Sequence, residues 1–152
     1  MMIIGIDPGL TGGIALLNGS HIELLETVPT QLKTGFIRKQ VDAQKLAHIL
    51  RPFQDAEVWL EYVASRPKQG VASVFSFGDT FGAIRGVLGA LNMKVNMVAP
   101  HKWKKALKIS SKEESLKAIK ELYPSLTLKK KDHNLAEAIL IAIYGQKYGH
   151  DT

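Results

Sequence analysis

The stretch that decides the fold is Met2-Ile3-Ile4-Gly5-Ile6-Asp7-Pro8-Gly9-Leu10-Thr11-Gly12-Gly13-Ile14-Ala15-Leu16-Leu17. It contains an apolar run with β-branched residues, a turn rich in glycine, and a second apolar run, so it predicts a hairpin of two strands. Asp7 stands at the turn end of the first strand, where a buried carboxylate is costly unless a hydrogen bond or a metal satisfies it. A turn aspartate that bonds its own backbone is the simpler interpretation, and residues further along bear on the choice.

Length and composition suit a globular protein: 152 residues, of which 45% are apolar and 22% charged. We therefore expect a single domain over 1–152. Without cysteine, the sequence has neither a disulfide framework nor a thiolate zinc site. The first apolar run resembles neither a signal peptide nor a membrane span, so a cytoplasmic protein with no membrane partner is expected. A net charge of +6 favours a polyanionic partner, although an ordinary basic surface would also explain it.

Three further elements are predicted before residue 57. The stretch 21–28 follows an Asn-Gly turn and predicts a third antiparallel strand. The polar stretch 29–40 has no clear period and is expected to be a surface loop. Apolar residues then recur at helical spacing between Asp42, a candidate cap, and Pro52, where the helix should end.

The next stretch, 57–63, is apolar enough for an interior strand and carries Glu61 near its end. If this strand lies parallel to the first one, Glu61 and Asp7 emerge at the same edge of the sheet. Open α/β sheets bind ligands at that edge. A solvent-facing strand residue is the alternative interpretation of Glu61.

A helix predicted over 71–91 carries small residues at four-residue spacing, which indicates that another helix or a nucleic-acid backbone approaches this face. The small residues are Gly78, Gly82, Gly86 and Ala90. Phenylalanines on the same helix are interpreted as core or dimer contacts, and they are Phe75, Phe77 and Phe81. A short strand over 94–98 and a basic helix around Trp103 follow.

The last predicted helix, over 134–144, is so apolar that it must pack against the sheet, and Glu137 is the only charge inside it. A lone carboxylate there is rarely buried without a partner, and a metal shared with the two strand-end acids would be one. His133 lies four residues before Glu137 on the same helical face. Asp132 could join the site only from the helix cap or the preceding loop.

Basic residues in two loops and one helix are candidate phosphate contacts, which would make affinity salt-dependent. They are Arg66, Lys68, Lys102, Lys104, Lys105, Lys129, Lys130 and Lys131. A tryptophan that anchors a surface helix among solvated lysines is the alternative for the cluster around Trp103.

Taken together, several motifs resemble the RuvC-type Holliday junction resolvases of the RNase H-like superfamily, and their phage and prophage branch in particular. The motifs are Ile4-Gly5-Ile6-Asp7-Pro8-Gly9, the strand-terminal Glu61, the glycine-bearing helix, and Asp132-His133-Asn134-Leu135-Ala136-Glu137-Ala138. The resemblance implies an α/β, RNase H-like fold whose mixed five-stranded sheet has three antiparallel strands, then two parallel ones, with flanking helices. It also implies a homodimeric endonuclease that cuts four-way DNA junctions symmetrically.

The site residues implied by this resemblance are Asp7, Glu61 and Glu137, as catalytic residues and as ligands of two Mg²⁺ or Mn²⁺ ions. The family's cellular members place a carboxylate or histidine where this chain has Asn134, so Asp132 or His133 must substitute. Asp132 is preferred because Mg²⁺ favours oxygen ligands. Two such ions about 3.5–4 Å apart would support in-line hydrolysis of a phosphodiester.

Two alternatives come from other classes of protein. The glycine-rich turn after Asp7 also resembles the first phosphate loop of actin-like ATPases and sugar kinases, but those proteins need a second lobe that this chain is too short to hold. The other alternative is a catalytically silent junction-binding protein, in which the acids are only caps and surface groups.

Overall fold

The computed structural model describes residues 1–32, 39–63 and 70–149. Seven strands occur in the described ranges: β1 (Met2–Asp7), β2 (Gly13–Asn18), β3 (His21–Thr27), β4 (Thr30–Leu32), β5 (Lys39–Val41), β6 (Glu57–Glu61) and β7 (Lys94–Val98). The α-helices are α1 (Ala43–Leu50), α2 (Val71–Ala90), α3 (Pro100–Ala106), α4 (Lys112–Leu122) and α5 (His133–Tyr148). Short 3₁₀ turns follow α1 and precede α5.

The main sheet has the strand order β3-β2-β1-β6-β7. The pairs β1–β2 and β2–β3 are antiparallel, whereas β1–β6 and β6–β7 are parallel. This arrangement confirms the predicted fold of three antiparallel strands followed by two parallel ones. In the β1–β6 ladder, Ile6 pairs with Leu60, so the next residues, Asp7 and Glu61, leave the same edge of the sheet.

Both faces of the sheet are covered, and each has its own core. On one face, α5 packs across β1 and β2 and is joined by α3 and α4. Side chains of α1 and α2 fill the core on the other face. A Cβ atom at Gly5 would collide with the backbone of Ala138 and Ala142, so only glycine at this position lets α5 lie directly on β1. This close approach brings the first turns of α5 next to the end of β1.

One predicted loop is partly wrong. The stretch 29–40 contains β4 and β5, which pair with each other in a two-stranded antiparallel sheet, Gln31 opposite Gln40. Lys33 to Arg38, the middle of the predicted loop, lie outside the described residues. As predicted, Asp42 caps α1, since its Oδ1 accepts the Lys45 N–H at 3.0 Å.

The glycine-bearing helix α2 is confirmed, but nothing in the described part of the chain packs on its small residues. A Cβ atom built at Gly78, Gly82 or Gly86 meets no heavy atom within 4 Å. Phe81 does pack against the core, whereas Phe75 is 62% exposed. Throughout the described ranges, every helix is too short or too polar to cross a membrane.

Candidate active site

Three carboxylates from different parts of the chain lie together at the edge of the sheet. Asp7 and Glu61 end the neighbouring strands β1 and β6, and they are only 8% and 7% exposed. Glu137, in the second turn of α5, is half-buried and accepts a hydrogen bond from the protonated form of Asp7. Parallel pairing of β1 with β6 and the close contact at Gly5 therefore bring together the three acids predicted from the sequence.

The electrostatics of this cluster favour a cation. Burial, together with the charges of Glu61 and Glu137, raises the pKa of Asp7 to about 9. Burial also raises the pKa of Glu61, against the opposing effect of a hydrogen bond from Trp103. Carboxylates this close cannot all ionise in a buried site without a positive charge beside them. The cluster therefore holds a proton near neutral pH, which a cation could displace.

Helix α3 supplies two groups to the carboxylates. The indole Nε1 of Trp103, whose side chain is fully buried, donates to Glu61 Oε2 at 2.7 Å. Lys104 Nζ lies 5.5 Å from the centroid of the Trp103 ring, a cation–π contact. The positive charge of Lys104 partly offsets the rise in the pKa of both Asp7 and Glu61. Lys104, predicted as a DNA contact, is thus half-buried beside the acids.

Asp132 stands at the N-cap position of α5, one of the two places from which it was expected to reach the site. Its side chain makes no cap bond to the helix; its Oδ2 accepts the backbone N–H of Lys129 at 2.8 Å, within the preceding 3₁₀ turn. Membership of Asp132 in the site stays a prediction. His133, the first residue of α5, is half-buried.

Asn134 ties the head of α5 to the loop after β1. Its Nδ2 donates to the backbone oxygen of Thr11 at 2.8 Å and to Thr11 Oγ1 at 3.2 Å. Because this loop directly follows Asp7 and the helix carries Glu137, the amide helps to hold the two carboxylates in register.

The donor set suits a hard divalent cation. Carboxylate oxygens are the protein ligands that Mg²⁺ and Mn²⁺ take, and Mg²⁺ keeps several waters of its own. The charges of Glu61 and Glu137, which help to raise the pKa of Asp7, are the uncompensated charge that such an ion would balance. As the side chains stand, no group of three His, Asp or Glu residues within 1–32, 39–63 and 70–149 could hold one ion.

A groove of about 400 Å³ opens next to the end of β1. The loop that follows Asp7 forms one wall, with Pro8, Gly9 and Thr11, and the first half of α2 forms the other, with Ser73 and Phe77.

Five of the other residues that were predicted to contact DNA are exposed, and they form two groups along the chain. Lys102 and Lys105 lie on α3, and Lys129, Lys130 and Lys131 lie in and before the 3₁₀ turn that leads into α5. Arg66 and Lys68 fall outside the described residues. Sequence reasoning missed the roles of Trp103 and Asn134 at the site. The one available signal for Trp103 was its lone aromatic ring among the lysines of a short helix.

Comparison with known proteins agrees on the fold. No protein-family model matches the sequence, and no curated protein matches it either. Among solved structures, Thermus thermophilus RuvC superposes with a TM-score of 0.71 at 20% identity, over 99% of this chain and 96% of that one. T. thermophilus RuvC in complex with a Holliday junction substrate gives 0.74 at 21% identity, with the same coverage. Identity this low establishes the fold alone, so the chain has the RuvC-like, RNase H-like α/β fold.

Proposed function

We propose that this chain is a metal-dependent, structure-selective endodeoxyribonuclease that resolves Holliday junctions or other branched DNA. It would act by symmetric hydrolysis of phosphodiesters during recombination or phage DNA processing, in the cytoplasm of a bacterium or a phage-infected cell. The observation that carries the proposal is the meeting of Asp7, Glu61 and Glu137 at one edge of a RuvC-like sheet. A structural relative bound to a Holliday junction supports DNA as the substrate.

The acids would hold two divalent ions, Mg²⁺ or Mn²⁺. Asp7, at the centre of the cluster, would contact both ions, with Glu61 on one side and Glu137, joined by Asp132, on the other. Such ions supply an activated water and stabilise the leaving oxygen. Asp7 must first release its proton, which Lys104 favours by lowering the pKa of that carboxyl.

The DNA would lie across the groove and the basic surface around it. Exposed lysines on α3 and before α5 would contact phosphates, so binding should weaken as salt rises. The groove between the loop after β1 and α2 would admit the strand that is cut.

One gel assay tests the function directly. A synthetic four-way junction and a linear duplex of the same sequence are incubated with the protein, with Mg²⁺ and with EDTA. We expect paired, symmetric nicks in the junction only, and only with Mg²⁺. Junction binding without cutting at any Mg²⁺ concentration would support the catalytically silent alternative, and equal cutting of the duplex would contradict structure selectivity.

A homodimer is also proposed, because two symmetric nicks need two active sites and a closed two-fold dimer supplies them most simply. Exposed apolar residues and the glycine stripe on α2 offer a contact surface: Val71, Val74 and Phe75 are 88%, 37% and 62% exposed. Sedimentation at micromolar concentration should show a dimer. A monomer that remains active at nanomolar concentration would contradict it.

Asp132 is proposed as the fourth acid of the site, and His133 as a phosphate contact or proton carrier tunable near neutral pH. In the structure Asp132 accepts the Lys129 N–H, so it must turn to reach an ion. We expect Asp132→Asn to lower single-turnover cutting and to raise the Mg²⁺ concentration required. His133→Ala should instead alter the pH profile. Normal cutting by Asp132→Asn together with a His133→Ala variant that is inactive at every pH would reverse the assignment.

A further inference from the structure

Trp103 is a buried tryptophan that donates a hydrogen bond to Glu61. The geometry points to Trp103 as a positioning residue that fixes the orientation of the Glu61 carboxylate for metal binding. This inference rests on the proposed function, because it concerns the same divalent ions.

The contact itself is short and enclosed. The indole N–H has one proton to donate, and it points at Glu61 Oε2 across 2.7 Å, with Trp103 0% and Glu61 7% exposed. In a buried site of low dielectric, a hydrogen bond to a carboxylate is electrostatically stronger than it would be in water. With Oε2 held by the indole, Oε1 is the oxygen that Glu61 can present to a cation.

Trp103 also connects Glu61 to a positive charge. Lys104 lies against the face of its ring, and the charge of Lys104 acts on both Glu61 and Asp7. The edge of the Trp103 ring therefore donates a hydrogen bond to Glu61, and its face makes a cation–π contact with Lys104. Both are next to the place where the ions would bind.

The chain contains a natural comparison. Its other tryptophan, Trp59, is also buried, at 6% exposure, and its Nε1 has no hydrogen-bond partner in the described residues. Trp59 packs against Gly145 of α5 and the ring of Tyr144, in the core that α5 covers. Replacing either tryptophan by phenylalanine leaves a similar cavity, but only Trp103→Phe removes a bond to a carboxylate.

We expect Trp103→Phe to bind Mn²⁺ about 10-fold or more weakly than the parent in calorimetry without DNA, since lost hydrogen bonds to metal ligands typically cost 10–100-fold in affinity. The Mg²⁺ concentration for half-maximal cutting should rise by a similar factor. At saturating Mg²⁺ the single-turnover rate should return close to that of the parent, because all carboxylates remain. Trp59→Phe should match the parent in both measurements.

A second measurement does not need a folded Trp103 variant. The sequence has two tryptophans, so Trp59→Phe protein emits from Trp103 alone. Binding of Mg²⁺ beside its hydrogen-bonded carboxylate should shift or quench that emission.

The outcomes separate the two hypotheses. A parent that binds Mn²⁺ and cuts junctions, with a folded Trp103→Phe variant of equal Mn²⁺ affinity, would overturn the positioning role and leave the nuclease intact. Unchanged Trp103 emission at saturating Mg²⁺ would also overturn it. A parent that neither binds Mn²⁺ nor cuts would overturn the proposed function, and this inference with it.

Discussion

Asp7→Asn is expected to abolish junction cutting while leaving the fold and junction binding intact. Asp7 is the acid that would contact both ions, and asparagine removes its charge with little change in shape. One preorganised electrostatic contact is worth about 10²–10³-fold in rate, so we expect a loss of at least that size. Single-turnover cutting at saturating Mg²⁺ measures the rate, and a gel shift in EDTA measures junction binding.

The matched control is Asp55→Asn, which makes the same chemical change at an exposed position outside the site. It should cut like the parent. Cutting by Asp7→Asn within tenfold of the parent would remove Asp7 from the catalytic centre and leave the other acids to be tested in turn.

Much of the fold was predictable because its central elements carry strong patterns. β1, β6 and α5 have nearly continuous apolar runs, with an acid at the end of each strand and one acid inside the helix, and their pairing follows from the order of strands and helices. The three acids could therefore be placed together before any coordinates were considered. Gly5 was part of a motif, but only the structure shows that it clears a path for the backbone of α5.

Other parts of the structure depend on contacts that leave no local pattern. β4 and β5 have three residues each, too few to show a period of two, so they were predicted as loop. The bond from Trp103 to Glu61 joins residues 42 apart in sequence, and no spacing rule indicates such a pair. Asp132 stands at the N-cap position of α5, yet its carboxylate bonds within the 3₁₀ turn just before that helix and not to the helix itself. Local hydrogen bonds of this kind compete closely, and small differences in geometry decide between them.

The second large effect expected of Asp7 concerns stability rather than cutting. The pKa of Asp7 is raised from its ordinary value of 3.8 to about 9 in the folded protein. Between these values the folded chain binds a proton that the unfolded chain has lost, so stability is full at low pH and falls as pH rises toward 9. The slope approaches about 1.4 kcal/mol per pH unit. The raised pKa of Glu61 adds a dependence of the same sign.

In EDTA at pH 8, Asp7→Asn should therefore unfold at a temperature about 5 °C or more above the parent, since each kcal/mol shifts Tm by roughly 2–4 °C at this chain length. At pH 4 the two proteins should differ little. Adding Mg²⁺ at pH 8 should stabilise the parent, because the ion binds the folded cluster and displaces the proton of Asp7, and should stabilise the variant much less. Thermal unfolding from pH 4 to 9, with Asp55→Asn as control, measures these shifts. A parent whose Tm rises steadily from pH 4 to 9 in EDTA would show that Asp7 is ionised in the folded protein without a cation, contrary to the charge balance proposed for the site.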